Sequence, residues 1–204
     1  MTNRKYSVIV FDLGMVLISY DYNIALERLE KIEKGFGVNY LNHYKTNYET
    51  HRQFERGDIS EEEFLKKTMK IFNGKLDNET FKRIYSEIFT VNEDVASLLP
   101  ELKKKYKLVV LSNTNSIHKE YGWKNYGFLK YFDHMVLSHE ARVVKPEEKI
   151  YRAVEKASGR PPEEHIFIDD IKEYAEAPKK LGWDGIQFTG YDNLVKELKE
   201  REIL

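Results

Sequence analysis

Asp12, Ser112, Asn113, Lys145, Asp169 and Asp170 lie far apart along the chain, yet their side chains share one coherent chemistry. Asp12, Asp169 and Asp170 gathered in one pocket would repel one another, by about 4 kcal/mol for a pair at ~4 Å in an effective dielectric of ~20. A cation must offset this, and an all-oxygen ligand set selects a hard one such as Mg²⁺. Lys145 can balance the remaining charge, or that of a bound anion. Ser112 and Asn113 offer hydroxyl, amide and backbone N–H donors suited to phosphate oxygens. An aspartate can also attack as a nucleophile and pass through an acyl-phosphate.

That chemistry requires one place where the residues meet, and the apolar runs supply it. VIVFDLGMVLI, from Val8 to Ile18, reads as a buried strand with a carboxylate, Asp12, set inside it. Strands are expected at Tyr6–Phe11, Lys107–Leu111, His134–Leu137 and His165–Ile168, with a weaker fifth at Asp184–Phe188. Their apolar residues run continuously, as in a parallel sheet covered on both faces. Helical spacing appears between them, at Val95, Leu98, Leu99 and Leu102, at Ile150, Tyr151, Val154 and Ala157, and at Leu194, Val195 and Leu198. Alternating strand and helix predicts an α/β fold, a doubly wound, Rossmann-like parallel sheet. In such sheets ligands bind outside the carboxyl ends of the strands. Asp12 follows the first strand, Ser112-Asn113-Thr114-Asn115 the second, Lys145-Pro146 comes after the third, and Asp169-Asp170 follow the fourth. Singly, each has a plainer explanation as a cap, a turn or a helix entry with proline in the first turn. Their order at successive strand ends makes the shared site the better reading.

The stretch from about Tyr20 to Thr90 differs, showing helical spacing and no convincing strand. Ala25, Leu29 and Ile32 mark one helix. Phe64, Leu65, Thr68, Met69 and Phe72 mark another, opened by a Ser60/Glu63 capping box. A third holds Phe81, Ile84, Tyr85 and Ile88 after Asp77. The expected division is a core of residues 1–18 and 91–204 with a small helical cap inserted at 19–90.

Composition bounds the function classes. Of 204 residues 41% are apolar, enough for a globular core. The 33 basic and 34 acidic side chains give a formal charge of −1, so no global field favours nucleic acid or an anionic membrane. There is no cysteine, which removes disulfides and thiolate metal sites and fits a reducing cytoplasm. Arg4 and Lys5 precede the first apolar run as in a signal peptide, but Asp12 near its centre and the lack of a small-residue cleavage pattern argue against one. The expected partner is a small molecule, with no nucleic acid and no membrane; oligomeric state is left open.

The motifs VFDLGMVL, VLSNTN, Lys145-Pro146 and IFIDD, in this order from Val10 to Asp170, resemble those of the haloacid dehalogenase superfamily. FERGDIS, Phe54 to Ser60, together with FDLG and LSNTN, resembles a narrower branch containing sugar-phosphate phosphatases and the amino-terminal domains of some epoxide hydrolases. The resemblance implies that Asp12 is the nucleophile and a Mg²⁺ ligand, with the Gly14 carbonyl and Asp170 as further ligands. It implies that Ser112 and Asn113 hold the transferring phosphoryl group, that Lys145 bridges nucleophile and phosphate, and that Asp169 orients Lys145 or a metal-bound water. The expected activity is Mg²⁺-dependent hydrolysis of a small phosphomonoester, such as a sugar phosphate, through an aspartyl-phosphate.

The chain departs from the superfamily in two places. Most of its phosphatases carry a second aspartate two residues after the nucleophile, as general acid and base, where this chain has Gly14. General acid–base catalysis is worth about 10²–10⁴-fold, so a water or a cap residue such as His51 would have to replace it; packing within the cap is the plainer role for His51. After Asp170 the branch usually has asparagines, where this chain has Ile171 and Tyr174, and Pro178 should shorten the helix that follows. Two alternatives stand beside the phosphatase: a 2-haloacid dehalogenase with Asp12 attacking carbon, and a non-catalytic phosphate-ligand binding or regulatory protein. Of the 14 tyrosines, Tyr20, Tyr22, Tyr40, Tyr44 and Tyr48 fall in the cap and are expected mostly to fill its core, with Tyr22 and Phe54 as candidate pocket residues. His118 is placed either beneath Asn115 or on a helix surface.

Overall fold

The computed structural model describes residues 5–204, so Arg4 and the first four residues of the expected core lie outside it. Among the described residues seven strands are formed: β1 (Val8–Phe11), β2 (Ile18–Tyr20), β3 (Phe89–Val91), β4 (Lys107–Ser112), β5 (His134–Leu137), β6 (His165–Asp169) and β7 (Asp184–Gln187). Five of them make one parallel sheet in the order β5-β4-β1-β6-β7, with Phe11 registered between Val110 and Ile168. This is the α/β, Rossmann-like arrangement the apolar runs predict.

Their continuity has a direct cause. Ile9 and Phe11 face one apolar cluster with Leu194 and Leu198, whereas Val8 and Val10 face another with Ile150, Tyr151 and Val154. Both faces of β1 are therefore buried, and each large apolar side chain removed from water contributes about 1.5–3 kcal/mol. The strand cannot alternate with polar residues without burying them unpaired.

Five helices lie between β2 and β3: α1 (Tyr22–Ile32), α2 (Phe36–Thr46), α3 (Tyr48–Arg56), α4 (Glu61–Thr68) and α5 (Asn78–Ser86). They share an apolar cluster of their own, including Leu29, Phe36, Phe64, Phe72 and Phe81. The starts of α1, α4 and α5 are set by side-chain caps. Asp21 accepts from Asn23 N–H, Ser60 from Glu63 N–H and Asp77 from Thr80 N–H. No strand was expected here; β2 and β3 pair antiparallel, Ile18 with Val91 and Tyr20 with Phe89. Three residues per strand are too few for alternation to register, and the two meet only because the insertion begins and ends at one place.

The rest of the chain adds α6 (Glu93–Ala96), α7 (Leu99–Lys103), α8 (Ser138–Ala141), α9 (Glu148–Ser158), α10 (Lys172–Glu176) and α11 (Tyr191–Glu200) around the sheet. Pro178 acts as expected: α10 stops at Glu176 and a 3₁₀ turn carries the proline. Lys145-Pro146 is not a helix entry, because α9 starts at Glu148 with Glu147 as its N-cap. Gly57 ends α3 at φ 77°, and a Cβ there would lie 2.3 Å from the His139 carbonyl oxygen, so glycine lets the insertion's backbone close onto α8. Among the described residues no helix is long and apolar enough to cross a membrane.

Candidate active site

Parallel strands point the same way, so the residues following β1, β4 and β6 emerge at one edge of the sheet. Asp12 leaves β1 with its N–H still donating to the Ile168 carbonyl at 2.8 Å. Its carboxylate accepts from Leu13 N–H at 2.7 Å and lies 2.9 Å from Lys145 Nζ. The same ammonium donates to Asp169 at 2.6 Å. Lys145 is 1% exposed and Asp169 fully buried, so the two charges must be paired where they are. The second Asp169 oxygen accepts from Ile171 N–H at 2.8 Å, turning the chain so that Asp170 faces a cavity.

Asn113 ties the end of β4 to the loop that carries Lys145. Its side-chain oxygen accepts from Lys145 N–H at 2.8 Å, and its amide donates to the Lys145 carbonyl at 3.3 Å. Carboxylate oxygens of Asp12, Asp169 and Asp170 all come within 4.8 Å of one another. Burial pushes the Asp12 carboxyl up, to about 7, against the pull of Lys145. Burial alone would lower the Lys145 ammonium, but Asp12 and Asp169 outweigh it and hold lysine above its usual range. Asp170 is raised by burial and by Asp169. Among the described residues no basic side chain pairs with the Asp170 carboxylate, whereas Lys145 serves both of its neighbours. Three carboxylates against one ammonium leave two negative charges, and this oxygen-rich edge fits a divalent hard cation.

The cavity measures about 250 Å³, and Asp12, Gly14, Ser112, Asn113, Lys145 and Asp170 form its floor. Every residue the sequence assigned to catalysis, phosphate or metal thus lines it, and Asp169 lies behind, on Lys145. The roof comes from β2 and the insertion: Tyr20, Tyr22, Tyr44, Tyr48, Arg52 and Glu55. Arg52 Nη1 donates to Glu55 at 3.2 Å. A second cavity of about 100 Å³ shares Gly14, Ser112 and Glu55 with the first and is also lined by His118, Phe89 and Trp123.

The roof corrects several expectations. Of the five tyrosines from Tyr20 to Tyr48 only Tyr40 sits in the apolar cluster; Tyr20, Tyr44 and Tyr48, expected to pack inside, line the cavity with Tyr22. Phe54 is not a pocket residue, because it stacks on Phe64 at 4.3 Å in the insertion's core. His51 is buried against Tyr44 and Phe64 away from the cavity, and burial lowers it to about 4, so it packs rather than replacing an acid. Asn115 also turns from the cavity: it accepts from His118 N–H and its amide lies 3.2 Å from His118 Nδ1, which puts His118 beneath Asn115. Sequence reasoning missed Arg52 and Glu55. A signal existed in their three-residue spacing, which places both on one helix face beside Tyr48.

A family model described as haloacid dehalogenase-like hydrolase matches residues 6–182. D-ribitol-5-phosphate phosphatase of Bacteroides thetaiotaomicron is 26% identical over 88% of this chain and 90% of its own. The phosphorylated carbohydrates phosphatase of Thermotoga maritima is 26% identical over 87% of this chain and 82% of its own. A HAD family enzyme from Bacteroides thetaiotaomicron, solved with magnesium and inorganic phosphate, superposes with a TM-score of 0.72 at 27% identity, covering 88% of this chain and 92% of that one.

Proposed function

The chain belongs to the haloacid dehalogenase-like hydrolases, and from that premise we propose that it is a Mg²⁺-dependent phosphomonoester hydrolase of small phosphorylated sugars or polyols. One observation carries the reading: Asp12 stands at the cavity floor held by Lys145, with Asp170 unpaired beside it. Asp12, Asp170 and the Gly14 carbonyl would hold the metal, which when bound supplies positive charge to the phosphoryl oxygens.

A carboxylate oxygen of Asp12 attacks phosphorus and the ester oxygen leaves. Lys145 orients Asp12 and offsets charge on the transferring group, while Ser112 and Asn113 hold its oxygens. Asp169 fixes Lys145 in place. Water then hydrolyses the aspartyl-phosphate. Residues 19–90 act as the cap over a core of 1–18 and 91–204. The hydroxyl-rich roof suits a polyhydroxylated leaving group, in keeping with the substrates named for the ribitol-phosphate and carbohydrate-phosphate phosphatases it resembles. The uncompensated Asp170 supports phosphoryl transfer over halide displacement, which needs no metal. A cysteine-free chain suits work in the cytoplasm.

Phosphate release across a panel of sugar and polyol phosphates, with p-nitrophenyl phosphate, tests the reading. Release should require Mg²⁺, stop with EDTA and vanish in Asp12→Asn. Mg²⁺-independent release, or full activity in Asp12→Asn, overturns it.

A further inference from the structure

Gly14 leaves a proton without a carrier. A phosphoryl transfer to Asp12 expels an alkoxide, and the residue at position 14 has no side chain to protonate it. The space beside Gly14 is not filled by another carboxyl: a Cβ there would meet only Tyr20 Cε1, at 3.5 Å. Glu55, however, lines both this cavity and the second one, along with Gly14, Ser112 and Asn113. Among the described residues it is the one carboxyl of the cavity lining that stands apart from the cluster of Asp12, Asp169 and Asp170.

Its position is fixed from behind. The Ser138 hydroxyl donates to the Glu55 carbonyl at 2.6 Å and accepts from Thr114 N–H at 2.9 Å, locking α3 to the loop that carries Ser112 and Asn113. Gly57, two residues on, seats the same stretch against α8. The side chain itself has Arg52 as its hydrogen-bonded partner. Burial raises the Glu55 carboxyl while Arg52 and Lys145 pull it down.

We infer that Glu55, reaching down from the cap, is the general acid and base that serves Asp12 in place of a carboxylate at position 14. The inference rests on the phosphomonoesterase reading above. In the first half-reaction an Asp12 oxygen bonds to phosphorus and the P–O bond to the substrate's carbon skeleton breaks. The electron pair stays on the leaving oxygen, which takes the Glu55 proton and departs as an alcohol. In the second, water bonds to phosphorus and the P–O bond to Asp12 breaks, returning its electron pair to the carboxylate. The proton lost by water goes to Glu55, and the sum is ester plus water giving alcohol plus phosphate.

Glu55→Gln separates this role from packing. The probes are p-nitrophenyl phosphate, whose leaving group needs no proton, and the sugar or polyol phosphate of the panel that the wild type hydrolyses fastest. For the latter, kcat/KM should fall by about 10²–10⁴-fold, while for the nitrophenyl ester it should stay within about threefold. With p-nitrophenyl phosphate the variant should release a burst of nitrophenolate, and mass spectrometry of the quenched protein should find phosphate accumulated on Asp12. A structural lesion would produce neither. Adding Gly14→Asp to Glu55→Gln should restore turnover of the alkyl ester. An equal loss for both esters without phosphoenzyme, or no loss for either, overturns the role of Glu55. So does the leaving-group split appearing in Tyr20→Phe while Glu55→Gln keeps full activity. A wild type that hydrolyses neither ester overturns the phosphatase reading itself, and this inference with it.

Discussion

The floor and the roof of the cavity are built on opposite principles. The floor is charge held still: Lys145, Asp12 and Asp169 are buried and directly paired, with Asp12 following β1 and Asp169 ending β6. The roof is aromatic and more open to solvent. Tyr22 packs against Tyr20 at 5.2 Å and against Tyr44 at 6.2 Å, and Tyr44 meets Tyr48 at 5.7 Å, with Tyr20, Tyr22 and Tyr48 substantially exposed. A fixed floor suits chemistry common to many phosphate esters, and a roof of rings and hydroxyls suits selection among leaving groups. The difference also sets how each part responds to change. Removing one partner of a buried ion pair strands the other, whereas trimming an exposed ring loses only its own contacts.

Substitutions sharpen the contrast in descending order of effect. At the floor, Asp12→Asn should lower kcat by about 10⁴–10⁶-fold, the scale of losing a nucleophile; a loss no larger than that of a roof variant would break the distinction. Lys145→Met leaves Asp12 and Asp169 buried without their cation and should cost about 3–5 kcal/mol in metal-free buffer, read from the urea midpoint. Under the roof, His51 is buried neutral, with its folded value near 4 against about 6.5 for an unfolded histidine. The unfolded chain therefore binds the extra proton first as pH falls. Stability should drop by about 1.4 kcal/mol per pH unit between those two values and level off below the lower one. His51→Phe should flatten the pH dependence by that amount, and an unchanged slope would remove the histidine from the account. The smallest change belongs to the roof surface. Tyr48→Phe should raise KM for a sugar or polyol phosphate by roughly fivefold, the worth of one hydrogen bond, while KM for p-nitrophenyl phosphate and both kcat values hold. A large kcat loss there would mean that the roof takes part in the chemistry beyond Glu55.

The floor was legible because its residues sit at the ends of strands. β4 extends one residue past the expected Leu111, to Ser112, and β6 one past Ile168, to Asp169, so the polar residues begin where the apolar runs stop. A strand buried on both faces writes its limits into the sequence. The roof was not legible in this way. Tyr40 and Tyr44 are four apart on α2, one in the insertion's core and the other on the cavity, and nothing in residue type separates them. Phe54 and Glu55 are adjacent on α3, and residue type favours the more apolar of the two as the pocket residue, whereas the cavity is lined by the carboxylate and Phe54 packs in the insertion's core. Amphipathic helices reveal that they have two faces, but not which neighbour the polar face will meet.

By itself the sequence determined the parallel sheet, the start of each capped helix, and the set of acids, amides and lysine at the strand ends. Local propensity and burial on both faces act over a few residues, and strand direction does the rest. Only the tertiary structure decided which oxygen of which aspartate meets Lys145, that Asn113 clamps the Lys145 backbone, and that α3 lowers Arg52 and Glu55 over Gly14. Those contacts join residues separated by tens of positions. They depend on how the insertion docks, through Gly57 against α8 and Ser138 beneath Glu55, a long-range fit that no short stretch of sequence encodes.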